Sequence, residues 1–215
     1  YGFDFELIDT AGLRRKKQIE DQLEFYSTVR TIRSIEQSDV CMLLIDAQSG
    51  MERQDQSIFW QIVNSFRGVV IVVNKWDLID KNHQTMAEYE EAIREKISPF
   101  TDVPILFTSN LTKQRILKAF EMAMKVNENR GRKISTSKLN DFLLPLIEHQ
   151  PPPMYKGKMV RIKYVTQIPS QTPTFAFYCN LPQYVKDPYK RFLENNIRQA
   201  YDLTGVTIRL FFREK

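Results

Sequence analysis

An unbroken apolar run at residues 68–73 constrains the fold of this 215-residue chain more than any other segment. Its residues are a glycine followed by valines and one isoleucine, which is typical of a strand buried on both faces of a parallel sheet. In open α/β sheets, ligands bind at the carboxyl ends of such strands. The four residues that follow the run therefore predict a ligand site, and they are Asn74, Lys75, Trp76 and Asp77.

The chemistry of this tetrad fits a guanine base. The Asp77 carboxylate can accept hydrogen bonds from both the ring N1–H and the exocyclic amine of guanine, a donor pair that adenine lacks. Asn74 is expected to link neighbouring loops through its amide, and the Lys75 stem to lie along the base plane. A strand that ends in a polar turn produces the same four letters, so a purely structural turn stays open as the alternative.

A second motif closes another predicted strand, at residues 3–9. Its residues are, in order, Asp9, Thr10, Ala11, Gly12 and Leu13. The Asp-x-x-Gly pattern predicts a magnesium ion held by Asp9 through water, and a Gly12 backbone N–H that meets a γ-phosphate. One further predicted strand, residues 39–47, separates the two motifs. This order resembles that of the translation-factor-like GTPases.

Charge is distributed unevenly along the chain. Residues 1–129 hold 16 Lys+Arg and 20 Asp+Glu, a net charge of −4, whereas residues 130–215 hold 15 and 6, a net charge of +9. The contrast predicts two domains with different partners, and it makes the basic part a candidate surface for nucleic acid. A merely solubilising surface is the alternative.

The remaining compositional signals concern the compartment. Cys41 and Cys179 each lie in an apolar, strand-like run, which indicates buried free thiols in a reducing environment. The sequence shows no signal peptide, membrane span or lipidation motif, so a cytoplasmic location without a membrane partner is expected.

Hydrophobic periodicity predicts an α/β first domain and an α+β second domain. In the first, strands are predicted over residues 3–9, 39–47, 68–73 and 103–108, and helices over 23–38, 53–66, 85–97 and 113–128. Strands that alternate with helices predict a mostly parallel sheet with right-handed crossovers. In the second, the predicted order is helix 135–149, strands 158–167 and 174–180, helix 187–201 capped by Asp187, and strand 206–213.

Several segments together carry a family resemblance, namely residues 9–16, 74–78, 136–140, 151–153 and 208–215. With them the whole chain resembles the Der (EngA) family of bacterial GTPases, which carry two tandem GTPase domains and a KH-like domain. The resemblance implies a truncated P-loop-type GTPase domain over residues 1–129, a basic linker over 130–133 and a KH-like domain over 134–215. It also implies GTP or GDP with magnesium as cofactors, and GTP hydrolysis in assembly of the large ribosomal subunit and its RNA.

The 215 residues depart from that family in the phosphate-binding region. They contain no G-x-x-x-x-G-K-[ST] pattern, no first switch and no first GTPase domain, which the resemblance makes an expected partner. Phosphate binding then loses its main anchors, so residues 1–215 are expected not to turn over GTP. Leu13 occupies the position of the catalytic glutamine of Ras-like proteins, so no catalytic residue is identified. The resemblance implies hydrolysis assisted by potassium instead.

The guanine loop of the family reads Ser-Ala-Leu, and here its residues are Ser109, Asn110 and Leu111. The Asn110 backbone N–H is expected to reach the base oxygen, although the asparagine side chain adds bulk beside it.

The predicted KH-like domain lacks the G-x-x-G that clamps RNA in ordinary KH modules. Contact with RNA is therefore assigned to basic side chains, namely Lys156, Lys158, Arg161, Lys163, Lys190 and Arg191. Alternation places Arg161 and Lys163 on an exposed strand face and Tyr164 on the core face, and the core is also favoured over base stacking for Phe175, Phe177 and Tyr178. A non-catalytic RNA-binding or domain-docking module is the alternative function.

Overall fold

The computed structural model describes residues 4–8, 21–80 and 85–214, apart from the side chains of residues 21–28. The chain forms two compact units, Tyr1–Ala123 and Met124–Lys215. Among the described residues, no helix is long and apolar enough to cross a membrane.

The first unit contains a parallel sheet of three strands in the order β1-β2-β3, namely β1 (Val40–Asp46), β2 (Gly68–Asn74) and β3 (Ile105–Phe107). Its helices are α1 (Asp21–Gln37), α2 (Arg53–Asn64) and α3 (Thr85–Lys96), and a fourth helix, α4 (Ile116–Arg130), begins in this unit and ends in the second. The first six residues of β2 are buried, which is typical of the central strand of a parallel sheet. The predicted α/β class is therefore confirmed.

The strand predicted over residues 3–9 is not formed in its described part, residues 4–8. Phe5 and Leu7 are exposed there, and the Phe5 ring meets Phe120 of α4 edge-on, with centroids 5.8 Å apart. Alternating hydrophobicity alone does not form a strand, because the backbone N–H and C=O groups must also pair with a neighbouring strand. None of the described strands pairs with this segment.

The second unit places two helices on one face of a three-stranded sheet. Its elements are α5 (Thr136–His149), β4 (Ile162–Ile168), β5 (Thr174–Cys179), α6 (Asp187–Ala200) and β6 (Arg209–Glu214). Strand β5 is central, antiparallel to β4 and parallel to β6. This is the predicted helix–strand–strand–helix–strand order. The Ser135 hydroxyl accepts a hydrogen bond from the Lys138 N–H and caps α5.

The predicted cap of α6 is wrong. Lys186 occupies the N-cap position and Asp187 is the first helical residue. The Asp187 carboxylate accepts a hydrogen bond from Lys190 Nζ at 2.9 Å rather than from a backbone N–H. This hydrogen bond and the Lys190 charge lower the pKa of Asp187.

The core of the second unit lies between the helices and one face of the sheet. Phe175 and Phe177 are fully buried there, as predicted. Tyr164 is not on that face, because a β-bulge between Ile162 and Tyr164 shifts the alternation by one residue. Tyr164 and Tyr178 instead stack against each other, half-buried, with ring centroids 4.4 Å apart and planes within 10°.

The bulge also affects the strand face to which Arg161 and Lys163 were assigned. Arg161 and Lys163 are both exposed. Lys163 has no cross-strand partner in the register of β4 and β5. The i, i+2 rule that assigned the two side chains to one face therefore does not hold through this position.

A side-chain amide closes the outer edge of β4. Asn140 of α5 donates to the Val165 carbonyl and accepts from the Val165 N–H, both at 2.8 Å. At the end of α5, the Gln150 carbonyl accepts a hydrogen bond at 2.8 Å from the hydroxyl of Tyr189, a buried residue of α6. Burial raises the pKa of Tyr189 to about 12. The Asn140 bonds hold α5 on the sheet, and the Tyr189 bond joins α6 to the end of α5.

The second half of α4 belongs to the second unit. Asn129 is fully buried, and its amide donates to Asp202 Oδ1 at 3.3 Å and to the Thr204 carbonyl at 3.1 Å. Lys125 forms an ion pair with Asp202 at 3.1 Å. The linker that the sequence predicts, residues 130–133, begins at the last residue of this helix.

Candidate functional site

The loops that follow β1, β2 and β3 are joined by backbone hydrogen bonds at the carboxyl edge of the first sheet. The Ala47 N–H donates to the Asn74 carbonyl at 2.9 Å, and the Thr108 N–H donates to the Val73 carbonyl at 2.8 Å. The Trp76 N–H donates to the Thr108 carbonyl at 3.0 Å. Three separate segments of sequence are thereby held at one rim.

Asn74 connects two of these loops through its side chain. Its Oδ1 accepts from the Asn110 backbone N–H at 3.3 Å and lies 3.5 Å from the Thr108 hydroxyl. The Asn110 N–H is the group that is predicted to reach a base oxygen. In this arrangement a base oxygen must share that donor with Asn74 or displace it.

Lys75 makes an ion pair that the sequence pattern did not indicate. Its Nζ lies 2.6 Å from Asp46 Oδ2 at the end of β1, and its backbone adopts a left-handed φ of 61°. Asp46 is the register partner of Asn74 across the β1–β2 ladder. The sequence signal for this ion pair is that an acidic residue, Asp46, ends the apolar strand β1, which pairs with β2. The pair fixes the lysine stem along the rim.

Trp76 belongs to the core rather than to the rim surface. Its side chain is 3% exposed and packs against Tyr89 and Phe107, with ring centroids 5.4 and 4.4 Å away. The Tyr89 hydroxyl donates to the Ala47 carbonyl at 2.7 Å. Burial raises the pKa of Tyr89, and the Asp46 and Asp55 charges add to the effect. Trp76 is therefore too buried to contact a ligand, and Asn74, Lys75 and Asp77 are the members of the predicted tetrad that can do so.

Asp77 differs from its neighbours because its carboxylate has no partner among the described residues. It lies on the 3-10 turn Trp76–Leu78 and is half-buried. Among the described residues, none forms a hydrogen bond or ion pair with its side chain. A carboxylate held in this way can accept two hydrogen bonds from a ligand. Asn74, Lys75 and Asp77 therefore form a polar rim with a vacant acceptor.

The loop that contains Ser109, Asn110 and Leu111 is closed by its own hydrogen bonds. Ser109 and Gln114 exchange backbone bonds at 3.2 and 3.0 Å, and Ser109 Oγ accepts from the Thr112 N–H at 3.1 Å. Ser109 is buried, whereas Leu111 is 83% exposed. The serine thus shapes the loop, and the next two residues face outwards.

The other predicted nucleotide residues, Asp9, Thr10, Ala11, Gly12 and Leu13, lie outside the described residues. The predicted RNA-contacting side chains are all described. Lys158, Arg161, Lys163 and Arg191 are exposed, and Lys190 pairs with Asp187.

Comparison with known families assigns the two parts of the chain. Residues 3–146 match the family model described as the elongation factor Tu GTP binding domain. The chain belongs to this GTP-binding family. Residues 133–213 match the model described as the KH-domain-like region of EngA bacterial GTPase enzymes, C-terminal. The GTPase and KH-like folds predicted from the sequence are both confirmed.

Curated relatives are similar to the chain over its whole length. It is 57% identical to GTPase Der of Christiangramia forsetii over 215 residues, which are 100% of the chain and 50% of the relative. It is 58% identical to GTPase Der of Flavobacterium johnsoniae, of which it covers 49%. The chain thus spans about half the length of the curated relatives it matches. The predicted resemblance to the Der family is confirmed.

Among solved structures, Era of Aquifex aeolicus bound to GDP and AlF4− aligns with a TM-score of 0.47 and 18% identity. The alignment covers 96% of this chain and 75% of Era. A likeness at this level supports no inference about the site.

Proposed function

We propose that this chain supplies the guanine-recognising part of a GTP-binding and GTP-hydrolysing switch that acts in the cytoplasm in assembly of the large ribosomal subunit. The observation that carries the proposal is the half-buried Asp77 carboxylate, which has no partner among the described residues. Membership of a GTP-binding family and similarity to Der proteins support it.

The proposed roles follow from the rim geometry. Asp77 accepts from the N1–H and the amine of guanine, because both donors point from one edge of the ring. Asn74 holds the loop of Ser109 to Leu111 in place through the Asn110 N–H. Trp76 supports the rim from within the core. These residues select the base, and they perform no chemistry on the phosphates.

The phosphate side of the site is proposed on sequence alone. Asp9 is assigned to magnesium and the Gly12 N–H to the γ-phosphate, with Thr10, Ala11 and Leu13 completing the loop. Magnesium in such sites neutralises charge that develops on the phosphates. Leu13 cannot orient water by hydrogen bonding, and the resemblance to the Der family implies potassium as a further cofactor of hydrolysis.

The first expected result concerns turnover. Purified residues 1–215 should show no GTP hydrolysis above buffer, because phosphate binding without a G-x-x-x-x-G-K-[ST] loop lacks its main anchors. Extending the chain upstream with the corresponding segment of a Der relative should establish turnover, faster in potassium than in sodium. Phosphate release measured for both proteins checks this. Turnover by residues 1–215 alone contradicts the proposal.

The second expected result concerns the proposed RNA partner. Arg161→Gln/Lys163→Gln should weaken binding to large-subunit RNA by a similar factor for all RNA sequences. It should also flatten the salt slope of affinity by about one to two units, because fewer counterions leave the RNA when two phosphate contacts are lost. The control Lys118→Gln/Lys138→Gln removes two exposed charges elsewhere. Filter binding over a salt series provides the slopes. Equal slopes in the two variants exclude Arg161 and Lys163 as RNA contacts and favour a docking role for this strand.

A further inference from the structure

Two tyrosines and three lysines form a compact group in the second unit. The rings of Tyr155 and Tyr184 stack with centroids 4.8 Å apart and 28° between their planes. Lys186 Nζ lies 4.4 Å and Lys156 Nζ 5.6 Å from the centroid of the Tyr155 ring. Lys158 Nζ lies 5.6 Å from the centroid of the Tyr184 ring. These five residues are called the tyrosine–lysine cluster below.

A tight turn builds the first half of the cluster. Tyr155 and Lys158 exchange backbone hydrogen bonds at 3.0 and 2.9 Å. Between them, Lys156 and Gly157 adopt left-handed φ angles of 49° and 75°, which a two-residue turn of type I′ requires at both central positions. A Cβ added at Gly157 would have no atom within 4 Å. The tip of the turn is therefore open to an approaching ligand.

The second half of the cluster follows β5 and runs beside that turn. Tyr184 ends the 3-10 turn Pro182–Tyr184, and Lys186 is the N-cap of α6. The Asn180 amide donates to the Met159 carbonyl at 3.1 Å and joins the two segments. The arrangement is thus set by backbone and amide contacts and does not depend on the lysine side chains.

The charges of the cluster are not balanced within the described protein. Lys156, Lys158 and Lys186 are exposed, and among the described residues no carboxylate forms an ion pair with any of them. The carboxylate next in sequence, Asp187, is paired with Lys190 at 2.9 Å. Ammonium groups gathered at one place repel one another, and a polyanion relieves that repulsion.

We infer that the tyrosine–lysine cluster binds single-stranded RNA, with the three lysines on phosphates and the tyrosine pair against a base. RNA satisfies both features, because its phosphates attract ammonium groups and its bases stack on aromatic rings. The net charge of +9 on residues 130–215 favours the same polyanion. This inference rests on the RNA partner of the proposed function, and it adds Tyr155, Tyr184 and Lys186 to the residues that the sequence indicated.

The lysine arm of the test uses the whole chain and a fluorescently labelled single-stranded oligouridylate. Lys156→Gln/Lys158→Gln/Lys186→Gln should lower affinity about 10- to 100-fold near ~0.1 M salt and reduce the salt slope by about two units. The control Lys118→Gln/Lys133→Gln/Lys138→Gln removes the same charge from exposed positions outside the cluster. It should change the slope by less than about one unit.

The tyrosine arm separates stacking from charge. Tyr155→Leu should lower affinity roughly tenfold without changing the salt slope, whereas Tyr155→Phe should bind within about twofold of the unchanged chain. A double-stranded RNA of the same length should lose much less from Tyr155→Leu, because its bases are stacked inside the helix. Far-UV circular dichroism verifies that each variant is folded.

The outcomes separate failure of the tyrosine–lysine cluster as an RNA site from failure of RNA as a partner of the protein. Equal affinity and slope in the two triple variants overturn the cluster as an RNA site and leave the RNA partner in place. Equal affinity of Tyr155→Leu and Tyr155→Phe overturns base stacking. If the unchanged chain binds large-subunit RNA but no oligouridylate, the cluster fails as a single-stranded RNA site, and if it binds neither, the RNA partner of the proposed function fails as well.

Discussion

Asp77→Asn is expected to exchange guanine preference for xanthine preference in a chain extended upstream with the phosphate-binding segment of a Der relative. The amide replaces one acceptor by a donor, so it opposes the guanine amine and matches the xanthine oxygen at the same ring position. A charged two-bond contact contributes about 2–4 kcal/mol. The affinity for GTP should therefore fall roughly 30- to 1,000-fold while the affinity for XTP rises.

Competition of GTP, ATP and XTP against a labelled guanine nucleotide measures this exchange. Asp80→Asn is the matched control, since Asp80 is an exposed carboxylate three residues farther along the chain. It should leave the order of the three nucleotides unchanged. The assignment of Asp77 is wrong if ATP competes as well as GTP with the unchanged protein, or if both aspartate variants behave alike.

Phe175→Ala is expected to destabilise the second unit by about 3–5 kcal/mol, because it removes a fully buried ring from a packed core and leaves a cavity. Small domains have total stabilities of only about 5–15 kcal/mol, so a large fraction of the unit should unfold at modest denaturant concentration. Phe211→Ala is the matched control. Phe211 lies on the neighbouring strand β6 and is 43% exposed, so its replacement should cost far less.

The two units can be followed separately in that experiment. The two tryptophans of the chain, Trp60 and Trp76, both lie in the first unit. Tryptophan fluorescence therefore reports unfolding of the first unit, and far-UV circular dichroism reports both. Phe175→Ala should move the circular dichroism transition to lower denaturant and leave the fluorescence transition in place. Equal losses in Phe175→Ala and Phe211→Ala contradict the assignment of Phe175 to the core.

The elements that the sequence predicts well are those whose pattern repeats within one segment. The buried run of β2 and the order of elements in both units follow from local periodicity and turn residues. The β-bulge before Tyr164 breaks that periodicity, and nothing in residues 158–167 signals the extra residue. The segment at residues 4–8 shows the opposite case, because its alternation is present but the pairing partner that a strand requires is not among the described strands.

In the candidate sites, too, residues at a fixed local spacing were predictable and contacts between distant segments were not. Asn74 and Asp77 were identifiable because their residue types sit at a fixed spacing after a buried strand. The Lys75–Asp46 ion pair and the stack of Tyr155 on Tyr184 join positions 29 residues apart in both cases. Such pairs depend on how distant segments are brought together by the fold, and one sequence without that geometry does not specify them.

The contact between Asn140 and Val165 has a consequence for how this protein behaves at high concentration. The outward N–H and C=O at the middle of β4 would otherwise be a template for a strand of another molecule, the usual route by which sheet proteins associate edge to edge. A single amide already occupies both groups. At Val165 the β4 border therefore offers no free backbone group to a strand of another molecule, and this disfavours edge-to-edge self-association there.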